Sequence, residues 1–180
     1  RRVAIVCDSA ADIAEELLER LDVHVVPMRV HFGARSFLDK VSLSPQEFCH
    51  ELATSGVHPQ TSQPPPGDFR RMYEFLASHY AHIVAISVSA RVSGTHAAAS
   101  GAAARVAGGK VTVVDSLNVS LGQGLLAMYA AECALAGYDG PRVVAAVEAM
   151  RAKTRTYGLL ARLDYAVRGG RVTPLVQKLS

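Results

Sequence analysis

The chain has 180 residues, of which 49% are apolar and 19% charged, and it carries a formal net charge of +3. That composition lies well away from the disordered classes and supplies enough apolar residues for a sizeable core, either one large domain or one domain plus part of another. The positive residues are scattered, with no run denser than Arg70-Arg71, so nucleic-acid binding is not expected. No signal peptide is visible, and no apolar stretch reaches the roughly 20 residues needed to span a membrane. The missing initiator Met suggests a trimmed chain.

The first element, Val3 to Cys7, is a short apolar run ending at Asp8-Ser9, the pattern of a buried strand. Asp12 to Leu21 carries apolar residues at helical spacing. Val23 to Phe32 reads as extended, and Gly33-Ala34 can turn it back through Arg35 to Leu38. Ser44-Pro45-Gln46-Glu47 is a capping box with proline at the first helical position, and Gly56 suits the stop. Gln60 to Gly67, with three consecutive prolines, reads as a loop. Asp68 is placed to begin a helix running to about Tyr80.

A second buried strand is expected over Ile83 to Val88, followed by a small-residue loop over Ser89 to Thr95. Ala97 to Val106 reads as a helix stopped by Gly108-Gly109. Val111 to Asp115 is a third strand ending in Asp-Ser. Helices are expected over Gly124 to Leu135 and Val143 to Ala152, and a short strand over Tyr157 to Leu160. The alternation implies an α/β fold: a parallel-type sheet flanked by helices on both faces. Residues 1–168 read as one domain, with Gly169-Gly170 as the hinge.

Three cysteines (Cys7, Cys49, Cys133) form no C-x-x-C pair, which points to reduced thiols in a cytoplasmic compartment. The seven histidines make no H-x-x-x-H or H-E-x-x-H, so no metal is expected. G-x-S-x-G and the phosphate-binding G-x-x-x-x-G-K-S/T are both absent. Gly122-Gln123-Gly124 lacks the third glycine of a dinucleotide fingerprint and suits close backbone packing at a helix start. No cofactor is expected.

In open parallel sheets, ligands bind outside the carboxyl ends of the strands. Hydroxyls gather there: Ser9, Ser93, Thr95 and Ser116, with Thr61-Ser62 just before a helix. Hydroxyls and helix-start amides suit an anionic head group without adding a counter-charge. Each also has a plainer reading. Ser93 suits a helix cap as well as a ligand contact, Thr61-Ser62 suits a turn, and Asp8 and Asp115 suit caps.

These loops also carry a family likeness. Val3-Ala-Ile-Val-Cys-Asp-Ser-Ala-Ala-Asp12 resembles the opening strand and T-D-S-x-x-D loop of the DegV family, with Cys7 in place of Thr. His24-Val-Val-Pro-Met28 is similar to its I-x-V-V-P-L segment, and Thr61-Ser-Gln-Pro64 with Phe69 to its T-S-Q-P-x-x-x-x-F signature. Ser93-Gly94-Thr95 matches L-S-G-T. Val114-Asp115-Ser116 and Ser120-Leu-Gly-Gln-Gly124 match V-D-S and S-x-G-x-G. Leu163-Asp-Tyr165 with Arg168-Gly-Gly-Arg-Val172 resembles L-x-Y-L-x-x-G-G-R-I.

The resemblance implies a two-domain, non-catalytic protein that binds a long-chain fatty acid such as palmitate and presents it to a separate fatty-acid kinase subunit. By that likeness the carboxylate would lie on Thr61 and Ser93, with Ser62, Gly94, Thr95, Ser9 and Ser116 around it. Arg171 would supply charge or meet the kinase. Members run longer, and residues 169–180 would be the hinge and the start of a second, α+β domain. His96 sits where an aromatic is common, and Thr173-Pro174 departs from the usual continuation. Two other readings stand beside this one: a serine acyl hydrolase or phosphotransferase with Ser93 as nucleophile and His96 as its nearby base, and an interaction module with a vestigial pocket.

Overall fold

A computed structural model describes residues 2–160 and 163–172. They form two compact units. The first comprises residues 1–28 and 63–156, and the second residues 29–62 with the chain from Tyr157 onward.

The first unit is built on four parallel strands: β1 (Val3–Asp8), β2 (Val23–Val26), β6 (His82–Ser87) and β7 (Val111–Asp115), in the order β2-β1-β6-β7. β1 is buried along its whole length because it has a parallel neighbour on each side. Ile5 pairs with Val23 and Val3 with His82. This is why its sequence is continuously apolar rather than alternating. Successive side chains still go to opposite faces. Ile5, with Val84 and Val114, packs on α1 (Glu15–Leu21), α5 (Leu121–Leu135) and α6 (Gly140–Arg151), through Leu126, Val143 and Val147. Val6 and Ala85 pack on the other side against Phe69, Tyr73 and Leu76 of α3 (Pro66–Ala77) and Ala99 and Ala102 of α4 (Thr95–Ala103). The expected parallel sheet with helices on both faces is present. Of the cysteines, Cys7 and Cys133 are buried and Cys49 is exposed, all as free thiols.

The second unit contains an antiparallel sheet, β4 (Arg35–Leu38), β3 (Arg29–Phe32) and β5 (Gln60–Ser62), in the order β4-β3-β5, with α2 (Pro45–Thr54). Val30, Phe32 and Leu43 form its core, with Phe37 and Phe48 packed on them. The capping box at α2 is complete: the Glu47 amide donates to Ser44 Oγ and the Ser44 amide to Glu47 Oε2.

Several boundaries differ from expectation for identifiable reasons. Val23 to Phe32 is not one strand but two, β2 and β3, in different sheets. Pro27 lies between them and has no N–H to continue a ladder. Gln60–Ser62, read as loop, pairs with β3, because the prolines begin only at Pro64. α1 starts at Glu15, after a 3-10 turn over Ser9–Ala11 that Asp8 caps and Asp12 ends with a φ of 51°. α3 starts at Pro66, where the first-turn amides have no partner to lose. α5 starts at Leu121, ahead of its two glycines, and α4 ends at Ala103, ahead of Val106. Tyr157 to Leu160 is not a strand but irregular and exposed. α7 (Asp164–Arg168) ends at Gly169. The expected start of a second domain lies, past Val172, outside the described residues.

Close approach accounts for the glycines at the start of α5. A Cβ on Gly124 would lie 2.4 Å from the Ala11 carbonyl oxygen, and one on Gly122 would lie 2.0 Å from Thr156 Oγ1. Gly124→Ala is therefore expected to cost about 1–3 kcal/mol, as overpacking does. Gly101→Ala, in α4 with nothing within 4 Å, should instead gain about 0.5–1 kcal/mol. Urea denaturation of both variants checks the pair; equal effects would contradict the packing.

Candidate functional site

The sheet order places the switch point between β1 and β6, since the chain leaves β1 toward β2 and leaves β6 toward β7. At such a point the two loops diverge and open a crevice at the strand ends. Asp8 stands at this point, 1% exposed. Its carboxylate accepts the Val88 amide at 2.8 Å, the Gln123 side-chain amide at 3.0 Å and the Ala10 amide at 3.1 Å. Gln123 Nε2 also reaches the Ile86 carbonyl at 3.1 Å. Burial raises the Asp8 carboxyl above its ordinary range, and these hydrogen bonds pull the other way. Ser9, next to it and buried, accepts the Met28 amide on Oγ at 3.0 Å.

The loop after β6 carries the Ser-Gly-Thr triplet. The Ser93 amide donates to the Ser89 carbonyl, Ser93 Oγ accepts the Thr95 amide at 3.2 Å, and the two hydroxyls share a 2.8 Å bond. Gly94 is the cap of α4, with no side-chain bond. Ser93 therefore orders the entry to α4 from one position earlier than a cap would. It is half-buried, while Thr95 is fully buried. A Cβ on Gly94 would lie 3.0 Å from the Gln63 side-chain amide nitrogen, which would have to give by a few tenths of an ångström. Gln63 of the T-S-Q-P segment thus packs on the Ser-Gly-Thr loop.

His96 follows on the first turn of α4. Its Nδ1 lies 2.9 Å from Ser87 Oγ, and Ser93 Oγ is engaged by Thr95. The arrangement does not pair His96 with Ser93, which a serine nucleophile would need.

The loop after β7 is tied to the β6 loop by the Ser89 amide on the Asn118 carbonyl and by the Ala90 amide on the Asp115 carboxylate. Ser116 is fully buried. Its hydroxyl donates to the Asn118 carbonyl and accepts the Asn118 amide, so it is spent on the loop itself.

In the second unit, Thr61 is exposed on β5, opposite Val30. Arg171 Nη2 reaches Thr61 Oγ1 at 3.4 Å, and its Nη1 donates to the Gly169 carbonyl at 2.6 Å. Ser62 Oγ and His31 Nε2 share a 2.9 Å bond. Within this unit the structure brings Thr61 to Arg171. Within the first unit it brings Ser93, Gly94 and Thr95 to Gln63, and sets Ser9 and Ser116 in the loops after β1 and β7. Asp8 and Gln123 form a clamp that motif reading assigned only to turns and packing. Among the described residues no group of three His, Cys, Asp or Glu could hold a metal ion.

A family model for uncharacterised proteins of the DegV family matches residues 2–179. The chain belongs to the DegV family. A DegV domain-containing protein of Caldanaerobacter subterraneus is 32% identical over 172 residues, covering 96% of this chain and 61% of the relative. The fatty-acid-binding DegV family protein of Thermus thermophilus superposes with a TM-score of 0.83 at 33% identity, covering 95% of this chain and 61% of that one. A stearic-acid-binding protein from Eubacterium ventriosum gives 0.86 at 26% identity, covering 96% and 61%. The chain therefore spans about three fifths of the length of these DegV relatives.

Asp8→Ala leaves the Val88 and Gln123 donors without their acceptor in the interior and is expected to cost about 2–6 kcal/mol, from roughly 1–3 kcal/mol per stranded donor. Because the folded pKa of Asp8 is raised, its contribution is complete below the ordinary carboxylate pKa and is lost as pH rises through the raised value. The penalty of Asp8→Ala, read from urea denaturation across acidic to neutral pH, should shrink as pH rises. A penalty that grows with pH would refute the assignment.

Proposed function

We propose that this protein binds a long-chain fatty acid through its carboxylate and carries it without catalysing a reaction. The observation that supports this most directly is the Ser93-Gly94-Thr95 loop, a preorganised set of hydroxyl and amide groups at the switch point of the sheet. The fold around it is that of DegV proteins solved as fatty-acid binders. In this reading Ser93 and Thr61 hydrogen-bond the carboxylate, and Arg171 tempers its charge or meets a protein partner. Gln63, two residues after Thr61 in the chain, packs on Gly94, next to Ser93. Ser62, Thr95 and Ser9 shape its rim, while Ser116 sets the neighbouring loop.

Hydroxyl donors suit reversible holding, because they add no counter-charge that would trap the anion. Burial of the acyl chain supplies most of the affinity, at about 0.8 kcal/mol per methylene. The reading includes a second, α+β domain from Gly169 onward to complete the acyl site, a cytoplasmic setting and hand-over to a separate fatty-acid kinase subunit. It includes no cofactor. A Ser93-dependent hydrolase or phosphotransferase is disfavoured by the engagement of His96 with Ser87.

Mass spectrometry of lipids extracted from the intact protein should recover a long-chain fatty acid. Thr61→Ala and Ser93→Ala should each weaken palmitate binding by about ten-fold or more, the loss of one hydrogen bond to a charged group, with thermal unfolding unchanged in Thr61→Ala and lowered only modestly in Ser93→Ala, which also loses its bonds to Thr95 at the start of α4. Protein free of any acyl chain, with palmitate affinity unaltered in both variants, would overturn the reading.

A further inference from the structure

A cleft of about 600 Å³ opens at the carboxyl ends of β6 and β7, within the range of small-molecule sites. Ser89, Arg91 and Asn118 line it from the two strand loops, and Arg151, Arg155 and Thr156 line it from the end of α6 and the segment after. Ser93, Thr61 and Gly94 are not in its wall. Three arginines and a single acid, Glu148, are among its lining residues, so the lining carries an excess of positive charge.

Two of the three cations are anchored by backbone carbonyls. Arg151, largely buried, donates from Nη1 to the Asp115 carbonyl at 2.8 Å, and its Nη2 lies 3.7 Å from Glu148. Arg155 donates to the carbonyls of Ala152 and Thr154, both at 2.9 Å. The bond to Ala152 offsets part of the partial negative charge at the carboxyl end of α6. Arg91 is exposed, and among the described residues no hydrogen bond or ion pair engages its guanidinium. Ser89 Oγ accepts the Arg91 amide at 3.3 Å, which leaves its proton free to donate. Thr156 Oγ1 donates to Asn118 Oδ1 at 3.0 Å, and Asn118 Nδ2 donates to the Ser116 carbonyl at 2.9 Å, so that wall is fixed by its own hydrogen bonds.

We propose that this cleft binds a small phosphate-bearing anion, at a site separate from the carboxylate loop. A guanidinium has five N–H donors in a planar fork that matches phosphate oxygens two at a time. Arg151 and Arg155 retain donors beyond those used on the carbonyls. Three such groups against one acid call for more than one negative charge, and the volume exceeds what a lone carboxylate fills. A polyphosphate or a phosphorylated metabolite meets both conditions.

The test is calorimetric titration of the intact protein with inorganic pyrophosphate, at constant ionic strength, alongside Arg91→Gln and Arg155→Gln. Saturable one-to-one binding that weakens at least about five-fold in Arg91→Gln supports the site, a loss in line with removing one charge-assisted contact. Arg91 is exposed and, among the described residues, no hydrogen bond or ion pair engages its guanidinium, so this variant remains informative even if Arg155→Gln unfolds. Absence of saturable binding, as expected if an acidic protein segment is the true occupant, overturns the proposal. So does binding that Arg91→Gln leaves within that five-fold limit.

Discussion

The interaction on which the first unit depends is the buried carboxylate of Asp8. It sits where two loops part company, and its oxygens are shared among three N–H groups from Ala10, Val88 and Gln123. Those donors come from the turn after β1, the exit of β6 and the first turn of α5. One acid therefore fixes the end of the central strand pair and the helix laid across it. Burying a carboxylate is costly unless hydrogen bonds compensate, and here they are supplied by backbone and amide rather than by a cation. Among the described residues no cation pairs with it.

Much of the parallel sheet was readable in advance, because a strand flanked on both sides must be apolar throughout, and Val3 to Cys7 and Ile83 to Ile86 are. The capping box at Ser44 was equally plain, since its chemistry is local. What could not be read was pairing. Periodicity says that Val23 to Phe32 is extended, but not that its halves join different sheets. Gln60–Ser62 is too short to carry a pattern. Tyr157 to Leu160 has the composition of a strand yet forms no ladder, because side chains can favour extension without supplying a neighbour.

The candidate site could be proposed from the sequence as positions but not as contacts. Motif order located Ser93, Thr61 and Arg171, and the structure adds that Ser93 bonds Thr95 while Arg171 reaches Thr61. The importance of Asp8 was hidden, because its partners Val88 and Gln123 lie 80 and 115 residues away along the chain. Gln123 could have been found from its flanking glycines. Gly122 and Gly124 have no space for a Cβ, so α5 must approach the turn at Ala11 closely, and the side chain between them is carried into the interior.

The central register, Val3 against His82, has a consequence for how the protein is made. β1 emerges from the ribosome before the other strands of its sheet, and its partner on one side, β2, follows soon after. The partner on its other side appears only once the antiparallel sheet, α2 and α3 have been synthesised. Until then a fully apolar strand has an open edge, which is the sort of surface that invites pairing with the wrong chain. The nascent polypeptide must pass through that interval before β6 arrives to close the sheet.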